Sequence, residues 1–268
     1  MFLANLVPGV CWTLGTEFRV FGLFEANNNG LIVKAKLEDD THLLVAVNCP
    51  KLNAQSIGEI QGLEREENCK LLWVVGTDWH HLFAQQWAQS FPAATVVFPS
   101  HRAVRKHDKD HFTALVLDRN RPVLPRVSQD SLRLVPVLGF KGPPSPALCC
   151  GSRHADEVFR SEYAVYLPAI KLLFIFDLLL PSMPSKTFGF PPVPEPVTPP
   201  LPSSNFSSKW LSGFRVEDHA LCSATAKSLL DLDVDMLVFA HGDLAWGAVL
   251  QDRTRIKAAL GLLKPLLI

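Results

Sequence analysis

The sequence predicts an α/β fold of four layers, αββα: two mixed β-sheets stacked face to face, with helices covering both outer sides. Two observations carry this expectation. The first half runs as a β-meander and then alternates helix with strand, and the second half starts again with strands before its own helices. Several strand candidates, among them His42–Val47 and Lys70–Val75, are also near-continuous apolar runs, which is how buried strands read.

Taken in order, Phe18–Leu23 and Gly30–Leu37 read as strands divided by a turn at Asn27-Asn28-Asn29-Gly30. Glu38-Asp39-Asp40-Thr41 makes the next turn, and His42–Val47 returns as an internal strand. Ile57, Ile60 and Leu63 give Asn53–Glu66 helical spacing. Lys70–Val75 is a strand, a helix follows from His81, and Thr95–Phe98 is a strand again. Ser100–Lys106 is expected to be a short basic helix capped by Ser100. In the second half Leu132–Leu138, Tyr163–Leu167 and Leu172–Leu180 are strands, the last interrupted by Asp177. Ala220–Leu232 is a helix, Met236–Ala240 a strand, and Ala245–Leu263 a closing helix stopped by Pro265.

The 268 residues are expected to form a single domain, 1–268, with a proline-rich insertion over 181–208. Proline in PSMPSKTFGFPPVPEPVTPPLP, Pro181–Pro202, fixes φ and removes donors, so the segment reads as an extended arm or lid. A formal net charge of +0 lacks the basic excess of a nucleic-acid footprint, so no nucleic-acid partner is expected. No stretch reaches the ~20 apolar residues of a membrane span, and MFLANLVPGVCWTLG has no early Lys or Arg of a secretory signal. Six scattered cysteines without a CxxC pair point to a reduced, cytoplasmic protein, with Cys149-Cys150 as ordinary thiols. His101, His107 and His111 lie among Arg and Lys residues as a solvated basic face. Gly-x-Ser-x-Gly and Gly-rich phosphate loops are absent from the sequence.

The stretch that organises the rest is Cys69–Phe91, CKLLWVVGTDWHHLFAQQWAQSF. An apolar strand ends at Gly76-Thr77-Asp78, and Leu82, Phe83, Gln86-Trp87 and Phe91 then recur at helical spacing. Asp78, Trp79, His80 and His81 therefore occupy the loop after a strand's C-terminal end, the place where open α/β architectures bind ligands. Three further segments join it: the acidic loop around Glu157, the strand ending Phe176-Asp177-Leu178, and Val238-Phe239-Ala240-His241-Gly242-Asp243.

With these segments in this order, the chain from Gly15 to Leu250 resembles the metallo-β-lactamase family, and within it a divergent branch with His-His-Leu-Phe after the strand. The resemblance implies the αββα sandwich and a metal site. The family's His-x-His-x-Asp-His motif would lay its first His on Asp78 and its second on His80. Its Asp would fall on Leu82 and its last His on Phe83, neither of which can bind a metal. The loop His would fall near His154 or Glu157, the bridging Asp on Asp177 and the final His on His241. Trp79, His81, His154 and Asp243 would be further pocket residues.

Two expectations follow from the resemblance. One is a fold that has lost the dinuclear centre and binds a small molecule or a protein partner without a metal. The other is a hydrolase of esters, lactones or thioesters that keeps one Zn, Fe or Mn ion on Asp78, His80, Glu157 or His154, and Asp177. A third reading gives these residues no ligand at all: His80-His81 would only open a helix, and Asp177 would hydrogen-bond a neighbouring loop.

Overall fold

A computed structural model describes residues 2–20, 24–77, 83–99, 113–118, 120–141, 162–176, 178, 215–241 and 249–267. The first sheet opens with two antiparallel hairpins: β1 (Phe2–Val7) pairs with β2 (Cys11–Val20), and β2 pairs with β3 (Phe24–Lys36). Next comes β4 (His42–Val47), antiparallel to β3; β5 (Leu71–Val75), β6 (Thr95–Phe98) and β7 (Ala114–Val116) then continue in parallel. The sheet thus runs β1 to β7 in sequence order.

The second sheet begins with β8 (Arg133–Val137), followed in the chain by β9 (Phe140–Lys141), β10 (Glu162–Leu167) and β11 (Leu172–Ile175). After β12 (Arg215–Val216) come β13 (Met236–Phe239) and β14 (Val249–Leu250). Its order is β14-β13-β11-β10-β8, with β11 and β13 parallel and the other neighbours antiparallel. β9 and β12 form a separate two-stranded ribbon.

Alternation along the strands explains the apolar runs. Leu43, Val45 and Val47 of β4 face a core between the sheets, where Leu172, Phe174 and Phe176 from the other sheet meet them. Leu44 and Ala46 face outward into a second core under α1 (Ala54–Glu66) and α2 (Ala84–Ser90). Leu173 and Ile175 face a third core under α3 (His219–Leu230) and α4 (Arg253–Gly261). Three apolar layers between four structural layers make the αββα sandwich that the sequence predicts.

The helices start where polar side chains can take their first amides. Asn53 and Ser56 form a reciprocal capping box on α1, and Asp218 accepts from the Leu221 amide to start α3. Asp252 takes the amides of Arg255 and Thr254, which hold its carboxyl below the usual range. Trp87 of α2 is fully buried and donates from Nε1 to the Pro50 carbonyl at 2.8 Å, while Gln86 bonds both backbone groups of Leu52. The link between β4 and α1 is thereby fixed to α2. The sheet edges are also managed: Leu3 on β1 gives its amide to Glu59 of α1, and β8 carries Pro136, which has no amide to offer another strand.

Three sequence expectations change. Asn27-Asn28-Asn29-Gly30 is no turn; it lies inside β3 and pairs in register with Glu17, Thr16, Gly15 and Leu14. Phe2–Val7 and Cys11–Val20 form a hairpin whose turn contains Gly9 at φ 67°, so strand structure begins well before Phe18. The closing helix starts only at Arg253, because Val249 and Leu250 are drawn into the sheet beside Val238 and Leu237. The Ser100–Lys106 helix, the 181–208 insertion and Cys149-Cys150 lie outside the described residues. Among the described residues no helix is long and apolar enough to cross a membrane.

Gly30 is required by space rather than by φ. A Cβ there would stand 2.8 Å from the Val47 carbonyl oxygen and 3.2 Å from Pro50 Cδ. Gly30→Ala is expected to force β3 away from β4 and to destabilise the protein by roughly 1–3 kcal/mol. Urea unfolding, with the slope m unchanged, checks it.

Candidate functional site

The parallel strands β4, β5 and β6 end at one side of the sandwich, at Val47, Val75 and Phe98. β11 and β13 end at the same side in the other sheet, and a chain of hydrogen bonds shows it. Past Val47, β4 has no residue left to pair with Asn29 of β3. The Asn29 amide instead donates to the Ala240 carbonyl at 2.7 Å, and its side chain donates to the Phe239 carbonyl at 3.3 Å. The Asn48 side chain donates to the Asn29 carbonyl and to Asn28 Oδ1, each at 2.5 Å. Asn48 Oδ1 in turn receives the Cys49 amide, and the Asn48 amide donates to the Val75 carbonyl at 2.8 Å. Gly76 continues the series to the Val97 carbonyl at 2.9 Å.

These polar groups are enclosed. Asn28 is 5 % exposed, Asn29 2 % and Asn48 0 %, so unmade bonds there would carry the full desolvation penalty. Asn48 sits at φ 74°, a left-handed conformation that asparagine tolerates better than most residues because its short amide can bond locally. Thr77, just past β5, and His241, just past β13, are buried at the same end. Ala240 donates its amide to the Ile175 carbonyl, so the ends of β11 and β13 stay tied up to the residue before His241.

Of the site residues expected from the sequence, His241 is described, and it is buried at the strand end. Asp78, Trp79, His80, His81, His154, Glu157, Asp177 and Asp243 lie outside the described residues, as does Leu82. Phe83 is described: it is half-buried, packs on the outer core of the first sheet, and accepts the Trp87 amide in the first turn of α2. Its role there is that of a core side chain at a helix start. Among the described residues no three His, Cys, Asp or Glu side chains stand close enough to hold a metal ion.

Sequence reasoning missed two features at this end. The asparagine network is one; its signal was three consecutive asparagines in a chain otherwise running as strand, which local propensity assigns to a turn. The other is Glu162, a carboxylate 5 % exposed at the start of β10, whose Oε1 receives the Leu178 amide at 3.1 Å. It supports the chain just beyond β11. No spacing or motif around Glu162 distinguished it from a surface residue.

Asn48→Ala is expected to destabilise the fold by about 2–4 kcal/mol, since the Asn29 carbonyl, the Asn28 side chain and the Cys49 amide lose a partner together. Asn48→Gly should cost about 1 kcal/mol less, because it relieves the left-handed backbone. Hydrogen exchange should show the amides of Asn29 and Gly76 losing more protection than that of Val45; uniform loss would mean that the network is not a local tie.

Solved structures similar to this arrangement include metallo-β-lactamases. A metallo-β-lactamase from Pontibacter korlensis matches with a TM-score of 0.55 at 13 % identity, over 98 % of this chain and 98 % of that one. One from Hirschia baltica matches with a TM-score of 0.52 at 13 % identity, over 98 % and 97 %. The metallo-β-lactamase FIM-1 from Pseudomonas aeruginosa, in its mono-zinc form, matches with a TM-score of 0.51 at 14 % identity, over 100 % and 96 %. At such identities the likeness is one of fold. No protein-family model and no curated protein matches the sequence. Two mixed sheets flanked by helices, matched along almost the whole chain, give this protein a metallo-β-lactamase-like fold.

Proposed function

We propose that this protein is a metallo-β-lactamase-like fold without a dinuclear metal centre, and that it uses the strand-end face to bind a small molecule or a partner protein. The observation that carries the reading is the Leu82-Phe83 pair. The resemblance puts two metal-binding side chains at these positions, and here both are hydrocarbon. Phe83 is moreover committed to the core beside α2. The second metal would keep only Asp177 and His241 as protein ligands, and two are too few for a tight zinc site.

A single metal is the competing reading, and the donor set fits one ion better than two. Asp78, His80, Glu157 or His154, and Asp177 offer the mixed oxygen and nitrogen donors that suit Zn, Fe or Mn, and buried His241 stands at a strand end on this face. FIM-1 in its mono-zinc form is a fold relative described with one metal. When bound, such an ion would supply Lewis acidity and an activated water toward an ester, lactone or thioester. In this chain the work of the protein would be to hold that face shut against bulk water, which the buried asparagine network supports.

Elemental analysis of protein purified without chelator or added metal tests the choice. Substoichiometric transition metal, unchanged in His80→Ala, is the expected result. A stoichiometric ion that disappears in His80→Ala would replace the binding-protein reading with the mononuclear hydrolase.

The proline-rich insertion enters the same proposal as a roof. It follows the strand that leads to Asp177, and its apolar Phe188, Phe190 and Phe206 can be ordered only by docking. Deleting 185–203 should raise hydrogen exchange across Trp79–Phe83; unchanged protection would remove the roof from the proposal.

A further inference from the structure

At the other end of the sandwich, away from the strand ends just described, lies a cavity of about 300 Å³. It forms where β2 stops short of β3. The last pair of β2 is Cys11 with Val33, so Lys34–Lys36 have no strand beside them on that edge. Val10 covers part of the gap by accepting the Lys34 amide at 2.9 Å, while its own amide turns back to the Val7 carbonyl. The loop before β8 covers the rest: Ser131 Oγ accepts the Lys36 amide at 2.8 Å, and the Ser128 amide donates to the Lys36 carbonyl at 2.9 Å. The space left between these two patches is the cavity.

Its two sides differ in chemistry. Val10, Val33, Leu167 and Ile170 form an apolar wall continuous with the core between the sheets. The lip carries Lys34, Lys36, His42, Ser128, Ser131 and Asp130. The two serine hydroxyls of this lip have donating capacity left. Ser131 Oγ and Ser128 Oγ each already accept a main-chain amide, from Lys36 and Asp130, and their own hydroxyl hydrogens have no acceptor among the described residues. His42 is exposed at the start of β4, with no side-chain partner among the described residues. Among the described residues Lys36 pairs with Asp40, and exposed pairs of this kind, Asp130 with Arg133 included, open at little cost.

Each acid beside the cavity has a basic partner among the described residues. Asp130 is 94 % exposed and faces Arg133, Asp40 faces Lys36, and Glu67 faces Lys34 at 2.8 Å. Among the described residues a cation entering here would have to draw Asp40 or Asp130 from its basic partner and would meet the donors of the lip. An anion would meet an ammonium group, an imidazole and two hydroxyls, with hydrocarbon behind them. The volume is that of about ten liquid waters at ~30 Å³ each, which limits the guest to a small molecule.

We propose that this cavity is a binding site for a small amphiphilic monoanion of the short-chain carboxylate class. The carboxylate sits at Lys36, His42, Ser128 and Ser131, and the alkyl tail lies against Val10, Val33, Leu167 and Ile170. The site is separate from the strand-end face and does not depend on what that face binds.

Titrating the full chain with hexanoate, followed by backbone amide chemical shifts, tests the assignment. Saturable shifts are expected at residues 10, 33–36, 42, 128–131, 167, 169 and 170, with hexylamine and hexanol producing none of comparable affinity. Lys36→Glu, an exposed substitution that leaves the core untouched, should weaken hexanoate binding about tenfold. Ile170→Trp, which fills the cavity, should abolish binding in a protein whose other amide shifts are retained. Three results would overturn the proposal: no saturable response to hexanoate, equal binding of hexylamine or hexanol, or full binding in Lys36→Glu.

Discussion

At Asn29 the two sheets are joined by hydrogen bonds as well as by hydrophobic contact, as they are again where the Tyr163 hydroxyl donates to the Phe98 carbonyl. Apolar packing between sheets is non-directional and tolerates sliding, whereas a buried amide that must find a carbonyl tolerates little. Asn29 stands two residues beyond the last β3–β4 pair, Leu31 with Val47, and takes its partner from Ala240 in the opposite sheet. Asn48 closes the other side of the same residue and carries the connection to β5. Through these few bonds the end of β13 and the end of β5 are set relative to one another, and so are the loops that follow each of them. A ligand site assembled from loops of two sheets needs such a reference, because a shift of about 1 Å between sheets would be passed to every side chain carried by the loops.

The parts of this architecture that were legible in the sequence are those where local pattern and tertiary environment agree. Leu43–Val47 and the start of Leu172–Leu180 read as buried strands because both faces meet hydrocarbon, one between the sheets and one under helices, although the second strand ends at Ile175, short of the expected Leu180. Ile57, Ile60 and Leu63 gave α1, and Asn53 marked its start, since the cap is a local interaction. Where the environment overrides local preference the reading failed. Asn27–Gly30 has turn composition, but strand pairing with β2 on one side and buried partners on the other hold it extended. Val249-Leu250 were absorbed into a predicted helix because nothing in their own spacing announces the parallel pair β11–β13 with a free edge beside it. Pro8-Gly9 between two apolar stretches was a readable turn signal for the first hairpin, and it was passed over.

The candidate site shows the same division. Strand ends could be located, and His241 lies at one of them as its position after an apolar strand implied. The structural support behind the site could not be read, because Asn48 and Glu162 act through groups distant in sequence: Val75 is 27 residues from Asn48, and Leu178 lies 16 residues after Glu162. No periodicity records such pairings. Leu82-Phe83 is the opposite case: a local pair whose meaning comes from chemistry alone, since no hydrocarbon side chain coordinates a metal.

Cysteine placement has a consequence for how the molecule can be interrogated. Cys11, Cys49, Cys69 and Cys222 are all buried, and burial raises each thiol, that of Cys222 to about 11, so the reactive thiolate is scarce in the folded state. Cys49 follows Asn48 directly and is enclosed with it. Cys49 packs in the outer core under α1 and α2, so an alkylating reagent can reach it only when that corner of the molecule opens, and its labelling rate becomes a native stopwatch for the lifting of those helices from the first sheet. The chain carries, without engineering, a chemical reporter at the junction on which its geometry rests.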